Sequence, residues 1–179
     1  MPTMTKAGWA IGRWLAVTAV MGIVGGHNAR AALQLPADLK ADRILVLKAK
    51  HILLILNGDT VLDTFRIALG RNPMGPKNRV GDGRTPEGHY VLDWRNAKSR
   101  FYRSIHISYP APNDIEQARR LSVSPGGSVM IHGLPRGAEE IGTDQANWDW
   151  TDGCIAVSNS EMDEIWRRVD NGTPIDILP

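Results

Sequence analysis

Cys154 is the only cysteine of the 179-residue chain, and it follows a glycine in the segment Thr151-Asp152-Gly153-Cys154. A thiolate is a strong nucleophile, but the thiol needs a base or a nearby positive charge to become one. Glycine before the nucleophile permits an unusual backbone angle and a close approach of substrate to the main chain. The N–H groups of Gly153 and Cys154 could then stabilise a developing oxyanion. These features predict acyl transfer through a cysteine.

Five histidines are candidates for the base. His132 is the first choice, because it ends an apolar run and precedes Gly133, and a strand end is a common place for side chains to enter an active site. His106 is the second choice, either as base or as a substrate contact. The remaining three lie in the N-terminal segment (His27), at the start of a strand (His51) and after a turn glycine (His89). The sequence predicts Cys154 as nucleophile and His132 as general base.

Other uses of the cysteine and of the chain's charge fit less well. An isolated cysteine is more often a small buried apolar residue, but an exported protein usually pairs or avoids its cysteines. One cysteine with scattered histidines lacks the ligand spacing of structural zinc, so no metal site and no cofactor are expected. The formal net charge is +2, and three cations lie in the first 31 residues, where there is no acid. Subtracting them leaves −1, which gives no electrostatic case for nucleic acid.

The N-terminus is typical of an export signal. Lys6 and Arg13 precede an apolar run from Trp14 to Gly26, and Ala29-Arg30-Ala31 resembles a cleavage site. We expect residues 1–31 to be a signal peptide or, if uncleaved, an N-terminal anchor, which would be the only contact with a membrane. Residues 32–42 are expected to be a linker and residues 43–179 one catalytic domain. The expected location is the periplasm or cell envelope.

Short apolar runs predict a mainly β domain. Residues 43–48, 51–56 and 61–69 indicate an antiparallel meander, with Asn57-Gly58 as a tight hairpin turn. Residues 88–94, 102–109, 128–132 and 174–178 indicate further strands. A short helix is predicted over 112–122, and a second follows the capping box of Ser158 and Glu161. We expect β-rich sheets in a sandwich or barrel-like arrangement, with a few short flanking helices.

Two long loops, 70–88 and 134–151, flank the predicted strands and are of a length that is usually functional. The second loop joins the base to the nucleophile, so Trp148 or Trp150 is predicted to line the substrate groove; anchoring of the loop is an equal alternative. The carboxylates of Glu87, Asp149 and Asp152 could attract an ammonium group of an acceptor.

Three ordered motifs resemble one known family. Ile131-His132-Gly133 and Asp152-Gly153-Cys154-Ile155, with the upstream segment of residues 81–93 (GDGRTPEGHYVLD), resemble the L,D-transpeptidase catalytic (YkuD-type) domain. The resemblance covers roughly residues 43–179. It implies a β-rich fold and, as partner, a peptidoglycan stem peptide, which the cysteine would attack to release D-alanine and form a thioester.

The resemblance also implies roles for single residues. Cys154 would be the nucleophile and His132 the base, with the Gly133 backbone carbonyl orienting the imidazole and the Gly153 N–H in the oxyanion hole. An amine of a second stem would accept the acyl group in a 3→3 cross-link during cell wall biogenesis. The alternatives are a hydrolase that uses water, and a silent wall-binding module, for which an unpaired thiol has no use.

Two positions depart from the family's pattern. Asp152 stands where the family often has histidine, and Ala156 where it often has arginine or asparagine. A carboxylate beside the thiol disfavours the thiolate unless it points elsewhere. The missing arginine removes a possible carboxylate clamp, for which Arg84, Arg95, Arg103 and Arg136 are the candidate replacements.

Overall fold

Eight strands form one sheet in the computed structural model, which describes residue 36 and residues 39–179. In chain order the strands are β1 (Arg43–Leu47), β2 (Ile52–Asn57), β3 (Thr60–Arg66), β4 (Gly88–Ser99), β5 (Tyr102–Ile107), β6 (Met130–His132), β7 (Ile155–Ala156) and β8 (Thr173–Leu178). The helices are α1 (Pro112–Arg120) and α2 (Asn159–Arg168). The predicted signal peptide and most of the predicted linker lie outside the described residues. Within the described part, no helix is long and apolar enough to cross a membrane.

The sheet is mixed and curled into a half-barrel, with the strand order β3-β2-β1-β8-β4-β5-β6-β7. The strand β8 lies parallel to β1 and antiparallel to β4, and β6 lies parallel to β7. The prediction of a mainly β fold with a few short helices is confirmed. The barrel-like alternative describes it better than the sandwich, because all eight strands belong to one sheet.

Alternation of apolar residues explains which face of the sheet is buried. The fully buried side chains on β1, β2, β5 and β8 recur at every second position, as strand geometry requires. Helix α2 packs into the same core through Met162, Ile165 and the following Val169. Its start is the predicted capping box: the Ser158 N–H donates to the Glu161 carboxylate, and the Glu161 N–H donates to the Ser158 hydroxyl.

Several element boundaries differ from the predictions. The hairpin turn lies one residue later than predicted, since Asn57 pairs with Thr60 and only Gly58 has a positive φ. Strand β4 continues to Ser99 instead of ending at residue 94, with two register shifts against β5. The second loop contains a 3-10 segment, Glu139–Asn147, kinked at Gly142. The two-residue strand β7 was not predicted.

The first long loop is attached to the segment that carries the cysteine. Beyond β3, Ala68 pairs with Ala156, and Gly70 pairs with Thr151. A Cβ on Gly70 would lie 2.2 Å from the carbonyl oxygen of Gly83, so only glycine fits where the loop crosses itself. The loop and the segment that carries Cys154 are therefore held in one fixed arrangement.

Candidate active site

His132 and Cys154 are brought together by the parallel pairing of β6 with β7. His132 is the last residue of β6, and Cys154 directly precedes β7, with Ile131 opposite Ile155. Both side chains line one cavity of about 210 Å³, together with Asn96, Ser99, Arg100, Phe101, Ser104, Ser128 and Met130. The two residues that the sequence selected for chemistry thus share a single small site.

The imidazole of His132 is buried and fixed on three sides. Its Nδ1 lies 2.7 Å from the carbonyl oxygen of Gly133, the contact that the resemblance implies. A carbonyl only accepts, so Nδ1 carries the proton and Nε2 is left with a lone pair. The ring of Phe101 stacks on the imidazole at a centroid distance of 4.5 Å, and the ring of Trp150 approaches at 5.6 Å.

Burial determines the protonation state of His132. Removal from water lowers the pKa of the imidazole to about 4; the Gly133 carbonyl partly opposes this, and the charge of Arg100 adds to it. At neutral pH the ring is therefore uncharged, and it can accept a proton at Nε2.

The thiol of Cys154 is also protonated at rest. Burial raises the pKa of the thiol, and a hydrogen bond from the Met130 backbone opposes this effect. The charge of Asp152 raises the pKa further, whereas the charges of Lys77 and Arg100 lower it. The thiol points toward the carbonyl oxygen of Ser128, at 3.9 Å. No hydrogen bond joins it to His132 in the described residues, which is common for catalytic pairs without substrate. The arrangement fits base-assisted attack rather than a preformed ion pair.

The backbone around Gly153 corrects one predicted role. Gly153 has φ +128°, and a Cβ there would lie 2.5 Å from the carbonyl oxygen of Arg84. Its N–H donates to the hydroxyl of Thr151 at 3.1 Å, so it is not available for an oxyanion. The prediction of Gly153 as an oxyanion-hole donor is wrong, because Thr151 closes a tight turn onto it. The N–H of Cys154 has no acceptor in the part of the chain that the structure describes, and it is the donor that remains.

Two buried lysines hold the first long loop beneath this turn. Lys77 pairs with Asp82 at 2.9 Å and lies beside Gly153. Lys48 donates to the carbonyl oxygens of Gly75 and Thr85, as well as to the Glu87 carboxylate. Glu87 is thus occupied within the fold and does not face an acceptor.

The carboxylates predicted to attract an acceptor differ in whether they are already bound to other groups of the fold. Asp149 binds His51 at 3.0 Å and accepts the N–H of Leu69 at 2.8 Å, so it also has a structural role. Asp152 lies two residues before Cys154, has a side chain that is 83% exposed, and pairs with Arg71. Of the three carboxylates, only Asp152 remains at the site.

The predicted aromatic and histidine contacts lie mostly outside the cavity. His106 is across from Met130 in the sheet, where it binds Asp93 at 2.7 Å and stacks on Trp94. Trp148 is 51% exposed and borders other surface pockets. Trp150 packs on the imidazole of His132 and donates to Gln145, so it supports His132 instead of lining the cavity. Neither tryptophan lines this cavity. That one of them lines the wider substrate groove stays a prediction, and the contacts of Trp150 fit the anchoring alternative.

The sequence reasoning missed Arg100 and Phe101. None of the four arginines considered as a clamp lines the cavity, whereas Arg100 does. Both missed residues lie in the turn between β4 and β5, and β5 pairs with β6 through Ser104 and His132. The sequence feature that could have indicated them is their position in the turn of a hairpin next to the strand that ends in His132. Within the described residues, no group of three His, Cys, Asp or Glu could hold a metal.

Comparisons with known proteins identify the family of this chain. A family model described as the L,D-transpeptidase catalytic domain (YkuD) matches residues 41–177. The "Putative L,D-transpeptidase YafK" of Escherichia coli K12 is 32% identical over 111 residues, which cover 61% of this chain. The aligned part is only 37% of that relative, so the chain spans well under two thirds of its length.

Solved structures share the fold at low sequence identity. The helical cell shape determining protein Pgp2 from Campylobacter jejuni is 24% identical with a TM-score of 0.58, over 78% of this chain and 48% of that one. Bd1075 from Bdellovibrio bacteriovorus is 22% identical with a TM-score of 0.52, over 80% and 53%. The same architecture therefore recurs in these proteins.

Proposed function

The chain belongs to the L,D-transpeptidase catalytic domain family, and from that membership we propose that it is an exported enzyme of the cell envelope. Its proposed reaction is acyl transfer from a peptidoglycan tetrapeptide stem, through a thioester on Cys154, to an amine. The single observation that carries the proposal is the shared cavity of Cys154 and His132, in which the Gly133 carbonyl leaves Nε2 as the base.

Acylation follows from the two protonation states. The Sγ of Cys154 attacks the carbonyl carbon that precedes the terminal D-alanine, and Nε2 of His132 takes the thiol proton. The N–H of Cys154 faces the resulting oxyanion. When the C–N bond breaks, the proton passes from His132 to the leaving amino group, and a thioester remains.

The thioester is resolved by an acceptor amine. The amine attacks the thioester carbon, His132 takes a proton from the amine, and the sulfur leaves and recovers a proton as thiol. Orientation of the acceptor can contribute several kcal/mol of the barrier, so the acceptor side must hold the amine close to the thioester. Asp152, exposed beside the nucleophile, is the carboxylate that could draw an ammonium group there.

Hydrolysis of the same thioester is the second candidate. The observation that favours it is the engagement of Glu87 and Asp149 within the fold, which leaves one exposed carboxylate for an acceptor. A murein-peptide hydrolase would need only a water molecule at this point. Both candidates share the acylation step and differ in the acceptor alone.

One experiment tests both steps. The purified protein is incubated with a tetrapeptide stem and a labelled diamino acid, and the products are analysed by mass. Release of D-alanine with the label in the product supports transfer; release without label at high acceptor concentration means a hydrolase. Cys154→Ala, as the control, should be folded and inactive, and full turnover by this variant would exclude the mechanism.

Export is proposed separately, from residues 1–31 of the sequence. A signal peptide would be removed after Ala31, so protein recovered from the envelope fraction should begin at residue 32. N-terminal sequencing measures this directly. A chain that still begins at Met1 would mean an uncleaved anchor, and protein confined to the cytoplasm would contradict export.

A further inference from the structure

Arg100 is the one charged residue among the nine that line the cavity of Cys154 and His132. The other polar lining residues are an asparagine and three serines, which are neutral. The charge of Arg100 lowers the pKa of both His132 and Cys154, so it acts within Coulomb range of both reacting groups. The cavity thus presents one cation and no anion to whatever enters it.

Arg100 has no carboxylate partner among the described residues. The arginines on either side of it are engaged: Arg95 donates to the carbonyl oxygen of Trp166, and Arg103 pairs with Asp163 at 2.8 Å. Arg71, near the nucleophile, pairs with Asp152. A guanidinium presents five donors in a planar fork that fits a carboxylate with two parallel hydrogen bonds. In Arg100 that capacity is left for a ligand.

Aromatic stacking places the guanidinium of Arg100 over the site. Its central carbon lies 4.9 Å from the ring centroid of Phe101, and the same ring stacks on the imidazole of His132 at a centroid distance of 4.5 Å. The cation–π contact orients the side chain without using its hydrogen-bond donors. The stack therefore fixes the cation close to the base and keeps its donors free.

The cavity volume limits what the cation can bind. About 210 Å³ is less than the roughly 300–1,000 Å³ of pockets for drug-sized ligands, so the cavity accepts the end of a peptide and not an extended chain. A peptide end next to the scissile carbonyl carries a carboxylate. We propose that Arg100 binds the terminal carboxylate of the donor stem and so selects stems that end one residue beyond the attacked carbonyl. This inference rests on the proposed function.

The test compares two donors and three variants. The purified protein is given a tetrapeptide stem with a free terminal carboxylate or with a terminal amide, and release of the last residue is measured. The wild type should prefer the carboxylate by about 10- to 100-fold in kcat/KM, the size expected for a charge-assisted hydrogen bond. In Arg100→Gln the preference should fall toward unity, mainly through a raised KM, and Arg100→Lys should restore part of it.

The matched control is Arg136→Gln, which removes an exposed arginine outside the cavity and should leave the preference unchanged. Comparing the preference between variants cancels the different leaving-group chemistry of the two donors. If Arg100→Gln loses activity equally on both donors, the residue acts only through its field or on folding, and the inference is wrong while the proposed function stands. If the wild type releases the last residue from neither donor, the proposed function fails and the inference fails with it.

Discussion

The hydroxyl of Thr151 donates a hydrogen bond of 2.7 Å to the carbonyl oxygen of Cys154. The same hydroxyl accepts the N–H of Gly153 at 3.1 Å, so one buried oxygen closes the turn that holds Cys154. The turn explains why the Gly153 N–H faces inward. It also leaves the N–H of Cys154 as the donor available to substrate.

Replacing Thr151 tests that turn. Thr151→Val keeps the shape of the side chain but removes the hydroxyl. The Gly153 N–H and the Cys154 carbonyl then lose this partner, at a cost of about 1–3 kcal/mol for each group. We expect a lower free energy of unfolding and a larger loss in kcat than in KM. Thr151→Ser, which keeps the hydroxyl, is the control and should stay near wild type. Equal activity of the valine and serine variants would contradict the role given to the hydroxyl.

The buried His132 predicts a pH dependence of stability. Its pKa in the folded protein is about 4, below the ordinary value of about 6.5, so protonation favours the unfolded chain. Above pH 6.5 the imidazole is neutral in both states, and its titration does not reduce stability. As the pH falls from 6.5 through 4, the free energy of unfolding should decrease by roughly 3 kcal/mol. Urea unfolding at each pH measures it, with His132→Asn as a control that cannot titrate. An identical pH slope in both proteins would show that His132 is not the group responsible.

The same pKa predicts the acid limb of activity. The neutral imidazole is the active form, so kcat/KM should stay high down to mildly acidic pH and fall with an apparent pKa near 4, not 6.5. A profile of D-alanine release against pH gives this value. An acid limb near 6.5 would mean that the base is exposed to water in the free enzyme.

Trp148 and Trp150 should differ when each is replaced by alanine. Trp150 packs on the imidazole and holds Gln145, so Trp150→Ala should lower both the melting temperature and kcat. Trp148 is half exposed, and Trp148→Ala should change stability by less than about 0.5 kcal/mol. Thermal melts and Michaelis kinetics separate the two. A raised KM with an unchanged melting temperature for Trp148→Ala would instead extend the substrate groove to that residue.

The ion pair of Lys77 and Asp82 should stabilise the first long loop. Burial alone would raise the pKa of Asp82, but hydrogen bonds from Lys77 and three backbone N–H groups outweigh it and hold the pKa at about 2. Asp82→Asn leaves a buried ammonium unpaired, at a cost of about 3–5 kcal/mol, and Lys77→Met in the same chain should recover part of it.

The control for that pair is an exposed one. Glu116→Gln removes the partner of Arg119 and Arg120 on the surface of α1, where ion pairs contribute little, so its free energy of unfolding should be near wild type. Denaturant melts of the four proteins make the comparison. Equal stability of Asp82→Asn and Glu116→Gln would mean that the buried pair does not hold the loop.

Local patterns predicted the elements with strong chemical signals. The capping box located the start of α2, and the run of branched residues located β1 and β2, because each depends on neighbours in sequence. The Asn57-Gly58 turn was misplaced by one residue, since the choice of the residue with positive φ depends on the register with β3. The strand β7 was missed because two residues are too few to show a period.

The site was predictable in its reacting atoms and not in its surroundings. Cys154 and His132 have distinctive chemistry that their types and neighbours reveal. Which arginine lines the cavity, Arg100 rather than Arg95 or Arg103, depends on the side of the β4–β5 hairpin that each one faces. The two register shifts in β4 cannot be read from the sequence. The capture of the Gly153 N–H depends on a side chain two positions earlier, whose rotamer no pattern specifies.

The position of β8 in the sheet has a consequence for how the protein is made. This strand follows the other seven in the sequence, yet it lies between β1 and β4 and pairs with both of them. A growing chain that has not yet produced residues 173–178 can form the β1–β3 meander and the β4–β5 hairpin, but it lacks the strand that joins β1 to β4. The pairing of β1 with β8 joins Ile44 to Ile175, which lie far apart in the sequence, and contacts of such large sequence separation make folding slow. The sheet of the nascent polypeptide is therefore completed only after residues 173–178 have left the ribosome.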